Sequence, residues 1–436
     1  MASDSRSQTE PRLGTFSALR QREFALLWYS SVGQSIGLGM QQIALGYFVW
    51  DRTHSELWVG AVAFMNFAPF FLFSPFAGVF GDRFDRRNLL FIAQALSGLS
   101  VLALAVLIAS GFVEMWQVLV VAVLSATGQA LTVPTRLAYV IDLVESQLLM
   151  NAVALNSLAQ NGMRVVGPVL AGMFIAIIGV GGTMYVNAAG YLLGLIPLAL
   201  MQARPRPPAA TRAPLREIAD GIAFMIRTPI IFFVINLGNL FALFGMPYLS
   251  MLPVFAEDVL DVGSLGYGLL SSASGVGAVV GGIALARLGD SLHKLRLFKG
   301  CYLLFVMSLV VFSLSPWMWL SLILMFVIGV GSMSCISLGV VILQQNTPRE
   351  LQARVMSLWT WGIALAFLGA LPVGALSELF GAPITMAVTA ALGVASGLAL
   401  MAWHAGQSSK RNAASFLSES FPSTRTEHAG LDSSGD

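Results

Sequence analysis

Long apolar stretches alternate with short polar segments along most of the chain. A helix needs about 20 apolar residues to cross the hydrocarbon core of a bilayer, and most of these stretches are that long. Polar, Gly or Pro residues separate them. The pattern therefore predicts an all-α membrane protein with twelve transmembrane helices. We place these spans at residues 24–50, 57–80, 88–110, 115–138, 154–178, 183–202, 229–253, 264–287, 297–315, 317–345, 354–379 and 383–403.

A polar interruption at the middle of the chain divides the spans into two sets of six. It begins rich in Pro and Arg and continues with an amphipathic pattern, which predicts a linker that carries a surface helix. The end of the chain is rich in Ser, Thr and charge, which predicts disorder. The predicted units are an N-terminal segment 1–23, a bundle 24–202, a linker 203–228, a second bundle 229–404 and a cytoplasmic tail 405–436.

A weak internal repeat indicates that the two bundles are pseudo-symmetric. The spacing from Gly60 to Gly81-Asp82 equals that from Gly268 to Gly289-Asp290, and the two sets are offset by 208 residues. Two similar six-helix bundles can rock about a site at their interface, as a transporter with alternating access requires.

Composition places the protein in lipid and excludes several other classes. Of 436 residues, 56% are apolar and 11% charged, and the mean hydropathy is +0.78. The net charge of +2 is too small to indicate nucleic-acid binding. Cys301 and Cys335, the two cysteines, lie in apolar stretches without metal-ligand spacing, so neither a disulfide framework nor a zinc site is expected.

Positive charge alternates between successive loops, which predicts the orientation. Basic residues gather in the loops after spans 2, 6 and 8 and at both termini, whereas Arg52 lies on the opposite side. Both termini should therefore be cytoplasmic, in a bacterial-type inner membrane. The basic residues of these loops are Arg83, Arg86, Arg87, Arg204, Arg206, Arg212, Arg216, Lys294, Arg296 and Lys299.

The loop GVFGDRFDRR after span 2 is the sharpest local motif. Gly78 permits close helix approach, Asp82 can cap a helix N-terminus, and Arg83, Arg86 and Arg87 can bridge to acidic groups. The motif resembles the signature of the major facilitator superfamily, where such a loop latches the cytoplasmic side. Its Asp-Arg-x-Asp-Arg-Arg form is similar to the drug and siderophore exporter branch. The alternative is an ordinary cytoplasmic loop, which is basic only because cytoplasmic loops carry an excess of Lys and Arg.

A second stretch, from Pro134 to Gly172, resembles the same branch, which includes enterobactin-type siderophore exporters and macrolide efflux proteins. Within it, Gly167, Pro168 and Gly172 are similar to the span 5 motif of antiporters, with Ala171 replacing a glycine. A gating hinge is the functional interpretation, because Pro removes a backbone donor; ordinary small-residue helix packing is the alternative. The resemblance covers most of residues 20–400.

Polar residues inside the spans are candidates for lining a substrate cavity. Asn161, Arg164 and Pro168 share a helical face, and an intramembrane Arg is a functional candidate by default. Arg164 could instead pair with Asp142 or Glu145, and interhelical hydrogen bonding is the alternative for each amide. The cavity candidates are Gln34, Gln41, Asn66, Gln129, Asn161, Arg164, Asn236 and Asn239.

Several kinds of chemistry have no motif in the sequence. There is no phosphate-binding Gly-x-x-x-x-Gly-Lys-Ser/Thr loop, no His cluster and no nucleophile–base set, so we expect no enzyme activity, cofactor or metal. No carboxylate falls at the middle of a span. The remaining candidates for proton coupling are Asp142, Asp51 and Glu114, near span ends.

The resemblance implies proton-coupled export of an amphipathic small molecule such as a drug, macrolide or siderophore, by a protein that works as a monomer among membrane lipids. Uptake or lysophospholipid transport by the same fold is one alternative. A membrane receptor or assembly factor that has kept the fold is another, and a channel is disfavoured by the two-half organisation.

Overall fold

The computed structural model describes residues 16–83, 85–145, 147–202, 222–288, 293–364 and 368–420, and every regular element within these ranges is helical. A short turn of 3-10 helix, Ser17–Arg20, precedes the first long helix. The first half contains α1 Arg22–Thr53, α2 Glu56–Arg83, α3 Arg86–Ser110, α4 Met115–Leu143, α5 Leu149–Leu193 and α6 Leu195–Leu200.

The second half starts after a helical turn over residues 222–227. Its first segment, α7, runs over Pro229–Val259 and contains two π-helical turns, Phe241–Gly245 and Phe255–Val259. The other helices are α8 Gly263–Leu288, α9 Lys294–Ser313, α10 Met318–Asn346, α11 Arg349–Ala364, α12 Ala370–Phe380 and α13 Ala382–Ser420.

Eight helices among the described residues are long and apolar enough to cross a membrane. One of them, Asn151–Leu200, is 50 residues long, which is more than two crossings require at about 20 residues each. Within it, Gly179 has φ 72° and ψ 175°, a conformation that glycine adopts without strain. The helix is kinked there, between the predicted spans 5 and 6. The eight helices are α3, α4, α5 with α6, α7, α8, α9, α10 and α13.

Helices of each half pack mainly against helices of the same half. In the first half α1 packs on α5, and α4 packs on α2 and α3; in the second, α10 packs on α8 and α9, and α9 packs on α13. The halves meet where α5 packs on α8 and where α2 packs on α12, with further contacts from α1 and α2 to α7. A site between the halves would therefore lie among these helices.

Outside the predicted spans, the structure describes helix in the C-terminal tail and in the linker. The final helix continues to Ser420 instead of ending at residue 404, because no Gly or Pro interrupts the sequence between Gly406 and Pro422. In the linker, residues 222–227 form a helical turn, and residues 203–221 lie outside the described ranges. The predicted segment 1–15, the repeat element Gly289-Asp290 and the tail 421–436 lie outside them too.

Candidate functional site

The turn between α2 and α3 is fixed by its own charged residues. Asp85 precedes α3, and its Oδ1 accepts a hydrogen bond of 3.0 Å from the backbone N–H of Asn88, an N-cap that a glycine there could not supply. Arg86 Nη1 then donates to Asp142 Oδ2 at 2.7 Å and to the carbonyl oxygen of Ala138 at 2.5 Å. Arg86 thereby ties the start of α3 to the end of α4.

Arg87 joins the same end of the molecule to α6. Its Nε donates to the carbonyl oxygen of Leu198 at 2.8 Å and its Nη2 to that of Ala199 at 2.7 Å, at the point where the final carbonyl groups of α6 lack helical partners. Gly78, Asp82 and Arg83 lie in the last turns of α2, and the side chains of Asp82 and Arg83 are outside the described part.

A carboxylate of the second half caps a helix of the first half at the opposite end, where α1 turns into α2. Glu378 Oε2 accepts hydrogen bonds from Ser55 Oγ at 2.7 Å and from the backbone N–H of Leu57 at 3.1 Å. The first N–H groups of α2 have no partner within the helix, and the helix dipole favours a negative charge there. This contact links α2 to α12 across the interface between the halves.

Two glycine pairs bring the halves into backbone contact near the same end. A Cβ at Gly60 would lie 2.7 Å from the carbonyl oxygen of Ala370 and 3.1 Å from Cα of Gly374. A Cβ at Gly172 would lie 2.6 Å from the carbonyl oxygen of Ser264 and 3.3 Å from Cα of Gly268. Both crossings need the absence of a side chain, as in small-residue contacts between membrane helices.

The span 5 motif contributes to two different helix contacts. Gly167 lies against Gly39 of α1, where an added Cβ would be 2.8 Å from the Cα of Gly39, whereas Gly172 faces Gly268 of α8. Pro168 lies inside continuous helix, and the non-helical dihedral angles of α5 are at Gly179. The packing contacts are therefore visible, and the hinge at Gly167, Pro168 and Gly172 remains a prediction.

A buried hydrogen-bond network joins α1, α3, α4 and α5. Gln41 Nε2 donates to Ser125 Oγ at 2.8 Å, and Gln41 Oε1 accepts from Tyr191 Oη at 3.0 Å. Gln94 donates to the carbonyl oxygen of Tyr191 at 2.9 Å and accepts from Ser30 Oγ at 3.1 Å. In this structure Gln41 therefore makes hydrogen bonds between helices, which is the alternative to lining a cavity.

Replacing Gln41 with leucine should lower the free energy of unfolding by about 1–3 kcal/mol, because the buried Tyr191 Oη would lose its acceptor. The measurement is denaturation of the purified protein in detergent. Gln345→Leu, an exposed position on α10, is the matched control and should leave the free energy nearly unchanged. Equal losses in both variants would mean that the network contributes nothing specific.

Asn236 and Asn239 lie on the wall of a cavity of about 580 Å³ between α7, α13 and the start of α12. Asn236 Nδ2 donates to the carbonyl oxygen of Phe232 at 2.8 Å, which leaves its Oδ1 for another donor. The remaining lining is mostly apolar, so the cavity suits an amphipathic molecule. The lining residues are Phe232, Asn236, Asn239, Leu240, Leu243, Leu368, Ser396 and Leu400.

The remaining candidates are dispersed. Gln34 and Gln129 are buried, on α1 and α4, and Asn66 on α2 is half-buried. Asp51 is exposed near the end of α1, and Glu114 caps α4 while it accepts a hydrogen bond from Trp116. The side chains of Asn161 and Arg164 are outside the described part.

Two residues that are not among the predicted site residues, Arg136 and Glu378, are a buried cation and a cap between the halves. Arg136 is 3% exposed, inside α4. A charged residue within an apolar span was a signal for it, since Arg164 was selected on that ground. Glu378 lies near a predicted span end, and nothing in its local sequence indicates that it caps a helix of the other half.

The fold resembles that of solved membrane transporters. A POT family transporter in complex with a thioalcohol-conjugated peptide superposes with a TM-score of 0.72 at 13% identity, over 88% of this chain and 96% of that one. An inward-facing, unoccupied bacterial homologue of the human lysosomal transporter Spinster gives 0.68 at 13% identity, over 89% and 95%. The helices and their contacts thus define a multi-pass membrane protein with the fold of these transporters.

The family profile described as transmembrane secretion effector matches residues 13–429, and the chain belongs to this family of the major facilitator type. This membership agrees with the expectation that the protein is a transporter and not an enzyme. A relative named enterobactin exporter EntS, from Citrobacter koseri, is 26% identical over 368 residues, which cover 84% of this chain and 88% of the relative. The protein of that name from Escherichia coli O1:K1 is 25% identical over 325 residues, or 74% and 78%.

Proposed function

We propose that the chain is a secondary transporter with twelve spans in two six-helix bundles, which exports an amphipathic, siderophore-like molecule from the cytoplasm by alternating access. The observation that carries the proposal is the pair of glycine crossings between the halves, Gly60 with Gly374 and Gly172 with Gly268. In one pair the second helix of the first half meets the fifth of the second half, and in the other the fifth of the first half meets the second of the second half. Pseudo-symmetry of the two halves requires this exchange. The relatives named enterobactin exporter favour export of this substrate class.

Twelve spans follow when the eight apolar candidates are combined with the other long helices. The segment Asn151–Leu200 accounts for two crossings, and α1 and α2, with 32 and 28 residues, are each long enough for one. The pair α11 and α12 supplies the last. The basic loops favour an orientation with both termini in the cytoplasm of a bacterial cell, in which the α2–α3 turn is cytoplasmic and Glu378 faces outward.

In this conformation the glycine crossings and Glu378 close the outer end. For a substrate to leave the cell, the crossings must separate and Glu378 must release Ser55 and Leu57. The candidates for contacts with the substrate are Gln34, Gln41, Asn66, Gln129, Asn161, Arg164, Asn236 and Asn239. The proton gradient is the proposed energy source, with Asp142, Asp51 and Glu114 as candidate carriers, in a monomer surrounded by lipid.

Cells that express the intact protein should accumulate less of a fluorescent amphipathic compound or siderophore than cells without it. Asp82→Asn should remove the difference, because the loop motif needs the carboxylate charge, and a protonophore should remove it as well if protons drive export. Asp261→Asn, an exposed carboxylate at the opposite end, is the matched control. Greater accumulation with the intact protein would indicate uptake, and no change over a broad panel would contradict export.

A further inference from the structure

Arg136 is the most completely buried cation described in the first half. The residue is 3% exposed, and neither Nε nor Nη2 has a hydrogen-bond acceptor among the residues that the structure describes. Of the nearest acidic residues along the chain, Asp142 binds Arg86, and Glu145 is exposed beyond the end of α4. An unpaired guanidinium away from water is costly, and Arg keeps its charge even when buried. A ligand that supplied the missing acceptors would remove this cost.

Arg136 is one of four buried polar residues that lie next to an apolar cluster, on the side of the bilayer middle. The cluster brings α1, α4 and α5 together near their cytoplasmic ends, and its residues on these helices are Phe24, Leu27, Tyr139, Val140, Leu143, Ala152 and Leu155. Within about two helical turns of this cluster, towards the bilayer middle, the same helices carry the buried polar residues Ser31 and Gln34 on α1, Arg136 on α4 and Asn156 on α5. We call these four residues the polar layer.

The polar layer is buried but has spare hydrogen-bonding capacity. Gln34 and Asn156 are each 6% exposed, and their amides can donate as well as accept. Ser31 Oγ donates to the carbonyl oxygen of Leu27 at 2.9 Å, so it can still accept a bond but has no second hydrogen to donate. The layer therefore offers two guanidinium donors and two amide groups, without a negative charge among its own members.

We propose that the polar layer binds the anionic group of the transported molecule, with Arg136 Nε and Nη2 as the principal donors. The substrate class is thereby narrowed to amphipathic anions, whose charged group is a carboxylate or phenolate. The guanidinium fork fits two oxygens of such a group, and the amides of Gln34 and Asn156 can complete its hydrogen bonds. This proposal rests on the proposed function, because it concerns the substrate of the same transporter.

Binding of two matched probes to the purified, full-length protein tests the polar layer directly. The probes are N-dansyl-6-aminohexanoate and its methyl ester, which share an apolar body and differ in the carboxylate; binding is measured from the rise in dansyl fluorescence. The wild-type protein should bind the acid at least about tenfold more tightly than the ester, as expected for a charge-assisted pair. Arg136→Gln should abolish this preference, and Arg136→Lys should retain part of it.

Arg296→Gln is the matched control, because Arg296 is exposed in the first turn of α9, and it should keep the full preference. Equal binding of acid and ester by the wild-type protein overturns the proposal, and so does a preference that survives Arg136→Gln. If Arg136→Gln does not fold, Arg136→Lys decides: weaker binding of the acid with unchanged binding of the ester supports the site, and equal changes in both overturn it.

Export of the same two probes separates this proposal from the proposed function. A preference for the acid that depends on Arg136, in a protein that exports neither these probes nor any compound of the broad panel, supports the polar layer and contradicts export. Export of both probes without any preference in binding supports the proposed function and overturns the polar layer as an anion site.

Discussion

Gly172→Leu is expected to reduce export to less than about a tenth of the wild-type rate. The first added carbon would lie 2.6 Å from the carbonyl oxygen of Ser264, a backbone atom that cannot rotate away, so α5 and α8 would have to separate. Overpacking of this kind costs about 1–3 kcal/mol, and 1.4 kcal/mol already changes an equilibrium tenfold. In the proposed cycle the crossing exists only while the outer end is closed, so the loss falls on that state.

The reporter for this prediction is Ser264→Cys in a protein whose Cys301 and Cys335 have been replaced by serine. Ser264 is 7% exposed at the crossing, so a membrane-impermeant maleimide should label it slowly in the wild-type background and faster with Gly172→Leu. Gly300→Leu is the control, since an added Cβ there meets nothing within 4 Å. Unchanged export and labelling in Gly172→Leu would show that α5 and α8 do not need this contact.

Asp142→Asn should slow export about three- to tenfold while the protein remains folded. The substitution removes the charge that faces Arg86 Nη1 at 2.7 Å, in a pair whose side chains are 12% and 32% exposed. A partly buried ion pair contributes more than an exposed one, and both residues act on the same contact between α3 and α4.

Export rates of the two single variants and the double variant measure this coupling. Arg86→Gln should have a similar effect, and combining it with Asp142→Asn should add little, because either change alone breaks the pair. Glu145→Gln, an exposed carboxylate two residues beyond α4, serves as the control and should export normally. Fully additive losses would mean that Arg86 and Asp142 act separately.

Hydropathy was sufficient to predict helices and their approximate limits, because burial in lipid requires a continuous apolar stretch. The predicted span 88–110 corresponds to α3, and the span 115–138 lies within α4. The transporter class could also be predicted, since the GVFGDRFDRR loop resembles a family signature, and the family match agrees with it. Twelve crossings and the two-bundle division remain proposals.

Features that depend on partners distant in the sequence could not be predicted. The sequence shows that Gly60 and Gly172 are small, but not that they face Gly374 and Gly268. The π-helical turn Phe241–Gly245 in α7 has no hydropathy signal, because apolar residues continue through it. Likewise, Gln41 reads equally well as a cavity residue or a packing residue until Tyr191 and Ser125 are placed beside it.

The cap on α2 has a consequence for how the protein is made. Ser55 and Glu378 are separated by 323 positions, so at about 5–20 residues per second the ribosome needs roughly 15 to 65 s to supply the second after the first. During this interval α2 starts without its cap, and Gly60 and Gly172 face lipid instead of their partner helices. The first bundle must therefore stay folded in the membrane without the second. The buried hydrogen bonds of Gln41 stabilise it during this interval of biosynthesis.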